Sequence, residues 1–293
     1  LQTSLSEIDR HVRAARRESD IAAIAVLERR LLRAHRASFP SPRPPTPVST
    51  GDVEAQLASE ALADLGWWQW RKRRGAQALA ATRAPLVAAE RHRIATVRYG
   101  AMKNCNPTAV MEALESTFEG NERPAAPIDC QDDSASVLVL FDPVAAVPGR
   151  TPSLTPSGRL MLQERTETKR HRLYIAALAS AVLATVKETA ATCPTLRSVR
   201  VLVVRRDRDD PDPEHSEPDD SDRPGDLVAI YAAEFPLQWV NHTDWFRINP
   251  VDEILNTPGA LLSRAGDVEE VVALSLDGEP EIDAVIADLR RTL

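Results

Sequence analysis

"LYIAALASAVLATV", residues 173–186, is an apolar run of 14 residues without a charged side chain. A membrane-spanning helix needs about 20 such residues, so the run reads as the middle of a helix buried in a protein core. The helical pattern extends on both sides, from near Glu164 to Ala191, about 25 residues in all. A helix that is apolar on every side must be covered on every side. The neighbouring sequence supplies the cover. "SASVLVLFD" (134–142) reads as a strand of the buried kind, and "SVRVLVVRRD" (198–207) and "DLVAIYAAEF" (226–235) as two more. The last two enclose residues 207–226, which hold ten acidic and two basic side chains among prolines. They therefore read as an antiparallel hairpin around a disordered acidic insert. "NPVDEILNTPG" reads as a short helix, "VEEVVALSL" as an edge strand and "EIDAVIADLRRTL" as a closing helix. The predicted fold class is α+β: an all-helical N-terminal region, then a mixed or antiparallel sheet packed on the long apolar helix.

The N-terminal part is helical by periodicity. Leu5, Ile8 and Val12, then Ile21, Ile24, Leu27 and Leu31, recur at helical spacing over residues 4–39, with a break near Ser19. Five prolines between residues 39 and 51 make a stiff linker. Residues 52–104 are helical again, with interruptions expected at Gly66, Gly75 and Pro85. In "NPTAVMEALESTFEGN", Asn106 caps a short helix, Pro107 takes its first turn and Gly120 ends it. The expected division is a helical region at 1–122, with its Pro-rich linker at 39–51, and an α+β domain at 123–293, with the acidic insert at 207–226.

Charge is unevenly placed. Residues 1–104 carry 18 Lys and Arg against 10 Asp and Glu, in a chain whose net charge is −7. Such asymmetry points to an anionic partner for the basic part. The N-terminus has no signal-peptide pattern. Cys105, Cys130 and Cys193 are far apart, without a CxxC, which fits a reducing cytoplasm and argues against zinc or a disulfide framework.

The sharpest local feature is "GWWQWRKRRG" (66–75), which places three of the five tryptophans beside Arg71, Lys72, Arg73 and Arg74. Four adjacent cations repel one another and suit phosphates, and indoles stack on bases. On a helix the same tryptophans could instead pack on a neighbouring domain. Further basic clusters are Arg91, Arg93 and Arg98; Lys169, Arg170 and Arg172 at the start of the long helix; and Arg205 and Arg206 at a strand end. For the second of these clusters the alternative is salt bridging to Glu164 and Glu167. "QWVNHTDWFRINP" (238–250) adds Trp245 and Arg247, side chains suited to a thymine-like methyl and the adjacent guanine. The candidate DNA-contacting set is therefore Arg71, Lys72, Arg73, Arg74, Lys169, Arg170, Arg172, Arg205, Arg206, Trp245 and Arg247.

Enzyme motifs are sparse. Walker A, GxGxxG, HExxH and GxSxG patterns are absent. Glu167-Thr168-Lys169 matches the last element of the PD-(D/E)xK nuclease pattern, with Asp142 as an upstream acid. In that family the ExK lies on a core strand, whereas here it falls at a helix start. No catalytic residue, metal ligand or cofactor is assigned.

Residues 155–207, "TPSGRLMLQERTETKRHRLYIAALASAVLATVKETAATCPTLRSVRVLVVRRD", resemble a domain of uncharacterised bacterial proteins that join a helical N-terminal region to a C-terminal α/β unit. The layout is also similar to that of actinobacterial proteins that bind 5-methylcytosine DNA. The resemblance covers about a fifth of the chain, carries no catalytic signature, and implies DNA as partner and a methylated base as its target. The expected function is thus double-stranded-DNA binding without catalysis, with reading of 5-methylcytosine. The alternatives are a metal-dependent nuclease and a protein-interaction scaffold. No membrane partner is expected, and the N-terminal helices are the expected surface for a homodimer or partner protein.

Overall fold

The computed structural model describes residues 2–121, 123–207, 226–275, 280 and 284–287; for residues 2–17 and 226 it describes the backbone alone. The acidic insert after Asp207 and most of the expected closing helix lie outside these residues. The chain is α+β, as its sequence predicts. Helices α1 (Gln2–Arg33), α2 (Thr50–Leu62), α3 (Trp70–Lys103) and α4 (Pro107–Phe118) precede strands β1 (Ala125–Gln131) and β2 (Ser134–Phe141). A hairpin, β3 (Arg150–Leu154) and β4 (Leu160–Glu164), leads into the apolar helix α5 (Glu167–Thr192). Then come β5 (Ser198–Asp207), β6 (Asp226–Pro236), α6 (Pro250–Asn256) and a small ribbon, β7 (Ser263–Ala265) with β8 (Glu270–Val272).

The central sheet has the order β1-β2-β5-β6. It is mixed: β2 and β5 run parallel, joined across α5, and the outer pairs are antiparallel. Side chains alternate along each strand. In β2, Ala135, Val137, Val139 and Phe141 are buried, and in β5 Val199, Val201 and Val203 continue the same face, packed with α5. The opposite face carries Leu202, Val204, Leu227 and Ala229, covered in part by Leu261, Leu274 and Ile286.

The even apolarity of α5 follows from its surroundings. The sheet takes one side, and Leu31 and Leu32 of α1, Leu114 and Phe118 of α4 and Ile254 of α6 pack in the same core. The helix is long and apolar enough to cross a membrane by length and composition, but 78% of its most apolar stretch is buried within the fold. Its start is capped by Thr166, whose hydroxyl accepts from the Lys169 amide at 3.4 Å.

Four local expectations change. Helix α1 runs through Ser19 without a break. Gly75 and Pro85 lie inside α3; Ala84 and Ala88 beside the proline are locked against Val53 of α2, which holds the helix through the lost hydrogen bond. Strand β1 and the β3–β4 hairpin were not expected, because Pro127 and Pro152 make their sequences look like loops. Proline is tolerated on edge strands, and β1 is one. The strand expected within residues 268–276 is shorter: residues 270–272 pair with β7 in a two-stranded ribbon, and just beyond them the Leu274 amide donates to the Ala229 carbonyl of the edge strand β6 at 2.8 Å.

After α1, the turn at Ala34–Arg36 presses His35 against α5. His35 is 1% exposed; its Nδ1 lies 2.9 Å from the Ser180 hydroxyl, and Lys187 donates to its carbonyl at 3.2 Å. Burial first, then the charges of Arg36 and Lys187, lower its pKa from 6.5 to about 4. The unfolded chain therefore takes up a proton before the folded one. The stabilisation is complete above pH 6.5 and is lost as pH falls from 6.5 towards 4, a loss of about 3 kcal/mol in total. Urea melts at stepped pH should show this slope in the wild type and lose it in His35→Gln.

Candidate nucleic-acid interface

Helices α2 and α3 form a two-helix arm. Its private core is small: Val53 from α2 against Ala84 and Ala88 from α3, with Val48, Leu57 and Val87 at the margin. At its other end α3 meets α4, where Arg98 lies 3.8 Å from Glu112. From Arg98 back to Trp70 is about 40 Å at 1.5 Å per residue, so the basic run sits at the far tip. Of the 34 residues of α3, only Ala80, Ala84, Ala88 and Met102 are buried.

The tip is a built structure. The Gln69 amide donates to the Gly66 carbonyl at 3.0 Å, and the Arg73 guanidinium donates to the Leu65 carbonyl at 2.7 Å. Gly66 leaves room for the Trp68 indole: a Cβ there would lie 2.7 Å from one of its ring atoms, so the indole would have to shift. Trp67 and Trp68 meet edge to face at 6.1 Å. The guanidinium groups of Arg71 and Arg74 sit 5.1 and 5.5 Å from the centre of the Trp70 ring, an arrangement that eases the repulsion between adjacent cations. Trp67, Trp68 and Trp70 are 83%, 66% and 54% exposed. The alternative in which these indoles pack on the α+β domain is thereby set aside.

The charge of the arm is larger than the quoted run suggests. Helix α3 carries nine Lys and Arg against one Glu, which accounts for the whole surplus of the first 104 residues. Arg93 pairs with Glu90, Arg98 with Glu112, and Arg91 donates to Gln56. At the tip, Arg71, Lys72, Arg73 and Arg74 have no ion pair among the described residues. Arg83 and Lys103 lie on the same helix and were not among the expected contacts. Reading α3 as interrupted at Gly75 and Pro85 concealed that all nine cations share one helix.

The other candidates are dispersed and partly occupied. Arg170 donates to the carbonyls of Ala145 at 3.0 Å and Val147 at 3.3 Å, pinning the turn after β2. Arg172 faces Glu269 at 3.7 Å, so the partner is neither Glu164 nor Glu167. Lys169 and Arg206 are exposed. Arg205 is 8% exposed and turned inward: it donates to Val271 and forms a two-pronged pair with Asp207. Trp245 is also a core residue, its indole N–H donating to the Val240 carbonyl at 3.2 Å. Arg247 is exposed beside Asp244. Trp245 and Arg247 therefore do not form a shared base-reading surface, and Arg205 is no phosphate contact.

Glu167, Lys169 and Asp142 are all exposed. Among the described residues no group of three or more His, Cys, Asp or Glu converges as a metal site. A cleft of about 870 Å³ lies on the sheet face away from α5, but Asp129, Asp132, Asp133 and Glu234 outnumber Arg200 in its lining, the wrong sign for a polyanion. No family model, curated protein or solved structure matches the chain.

Proposed function

We propose that the chain binds DNA through the α2–α3 arm. The carrying observation is a cationic rod whose tip holds four basic side chains without a counter-charge among the described residues. Phosphate contacts of this kind supply sequence-independent affinity and make it depend on salt. Reading of 5-methylcytosine is not part of the proposal, because Trp245 is buried. Methylated and unmethylated duplexes are expected to bind equally.

The test is a salt series on labelled duplex DNA with the Arg71→Ala, Lys72→Ala, Arg74→Ala triple variant. Arg73 is left in place because it holds the Leu65 carbonyl. The affinity should fall, and the slope of log affinity against log salt should shrink by about three. An unchanged slope would remove the arm from the interface. Absence of wild-type binding to both duplex and single-stranded DNA at low salt would leave the arm as a protein-docking surface.

A further inference from the structure

We infer that the arm's tip is a stacking platform for unpaired bases, so that its preferred ligand is single-stranded or locally opened nucleic acid. This rests on the arm being the nucleic-acid interface and goes further by naming the form of strand it takes.

The three indoles are not equivalent. Trp70 is flanked by Arg71 and Arg74, and the Trp68 ring lies over the Gly66 backbone. Trp67 meets Trp68 edge to face, at an interplanar angle of 82°, and is 83% exposed. Its faces are thus the most open of the three, and they stand beside cations that have no ion pair among the described residues. Large apolar surfaces are left in water at a cost, and where they cluster they mark a binding site. In a duplex each base is already stacked on its neighbours, and the faces an indole needs are covered. An unpaired strand offers them next to phosphates, and indole stacking with adjacent cations is the general means of holding such a strand.

The surroundings favour this ligand over a lipid surface or a second copy of the chain. A helix that lies on a membrane separates its apolar face from its charged face. Here Lys72, Leu79, Leu86 and Arg93 recur every seven residues on one line of α3, so that exposed leucines and cations share a face. A second copy would bring together two helices that each carry nine cations and a single Glu.

The experiment uses the full chain with an oligothymidine, a blunt duplex of equal length, and phosphatidylserine vesicles, read by tryptophan fluorescence and by anisotropy of labelled DNA. The wild type should prefer the oligothymidine, with quenching. Trp67→Ala, at a site too exposed to disturb folding, should lose roughly tenfold or more on the single strand and little on the duplex. Trp67→Phe should recover most of the loss. Salt-dependent binding without a strand preference, or an equal loss on both DNAs, would overturn the stacking role while leaving the arm as a DNA-binding surface. Failure to bind either DNA would overturn both. Quenching by the vesicles but not by the oligothymidine would make the tip a membrane contact and overturn the inference.

Discussion

Trp245→Ala is expected to lower stability by about 3–5 kcal/mol and to leave the DNA affinity of the folded protein unchanged. The indole closes the loop after β6 over the core. It packs edge to face on Trp239 at 5.3 Å, donates to the Val240 carbonyl, and lies 4.8 Å below the Lys187 ammonium. Lys187 in turn donates to the carbonyls of His35 and Ala37, so the same side chain helps hold the end of α1 on α5. Alanine leaves a void, an unpartnered carbonyl and a wetter lysine. In a chain of this length the loss corresponds to a fall in melting temperature of roughly 10 °C, measurable by circular dichroism. Trp67→Ala should shift it by less than about 0.5 kcal/mol equivalent, because that indole faces water. The two tryptophans thus separate structure from binding. Lost DNA affinity at unchanged stability in Trp245→Ala would restore that residue as a reader.

The sequence announced the core more clearly than the site, and the reason lies in the range of the forces involved. Residues 173–186 carry their burial in composition, as do strands 198–207 and 226–235 in their short apolar runs. Both are local signals. Strand β1 was hidden because its edge position lets it keep Pro127 and polar residues. The continuity of α3 through Pro85 depends on Ala84 and Ala88 meeting Val53, a contact between helices that residue spacing along α3 does not report. The tip was legible as a dense run of indole and charge, and its exposure had to come from the fold. Trp245 illustrates the converse. Its loop composition suits a base reader, yet its position over Lys187 makes it core. The inward turn of Arg205 was within reach of the sequence. Strand alternation places residue 205 on the same face as Val199, Val201 and Val203, leaving Arg206 for solvent.

That alternation leads to the second large effect. Arg205→Ala should cost about 2–4 kcal/mol, whereas Arg206→Ala should be nearly neutral. The Arg205 guanidinium sits at the end of β5, donating through Nη1 to Val271 of β8 at 3.0 Å and through Nε and Nη2 to both carboxylate oxygens of Asp207. It also lies beside the buried Tyr174 hydroxyl without a well-formed hydrogen bond. Burial alone would lower the arginine's pKa; the Asp207 and Tyr174 contacts outweigh it and the net shift is upward. Removing the arginine strands the Val271 carbonyl and the Asp207 carboxylate together. The aspartate is 39% exposed and recovers part of its hydration, which keeps the expected loss below that of a fully buried pair. In the Arg205→Ala, Asp207→Ala double variant the carboxylate is gone as well, and the combined loss should fall short of the sum of the single losses by about 1–2 kcal/mol. Urea melts of the four proteins measure this coupling. Strict additivity would mean that Arg205 acts through the Val271 carbonyl and its packing on Tyr174, not through Asp207. Arg205→Met should then restore the part that comes from covering the tyrosine, and the remainder measures the bond to the Val271 carbonyl.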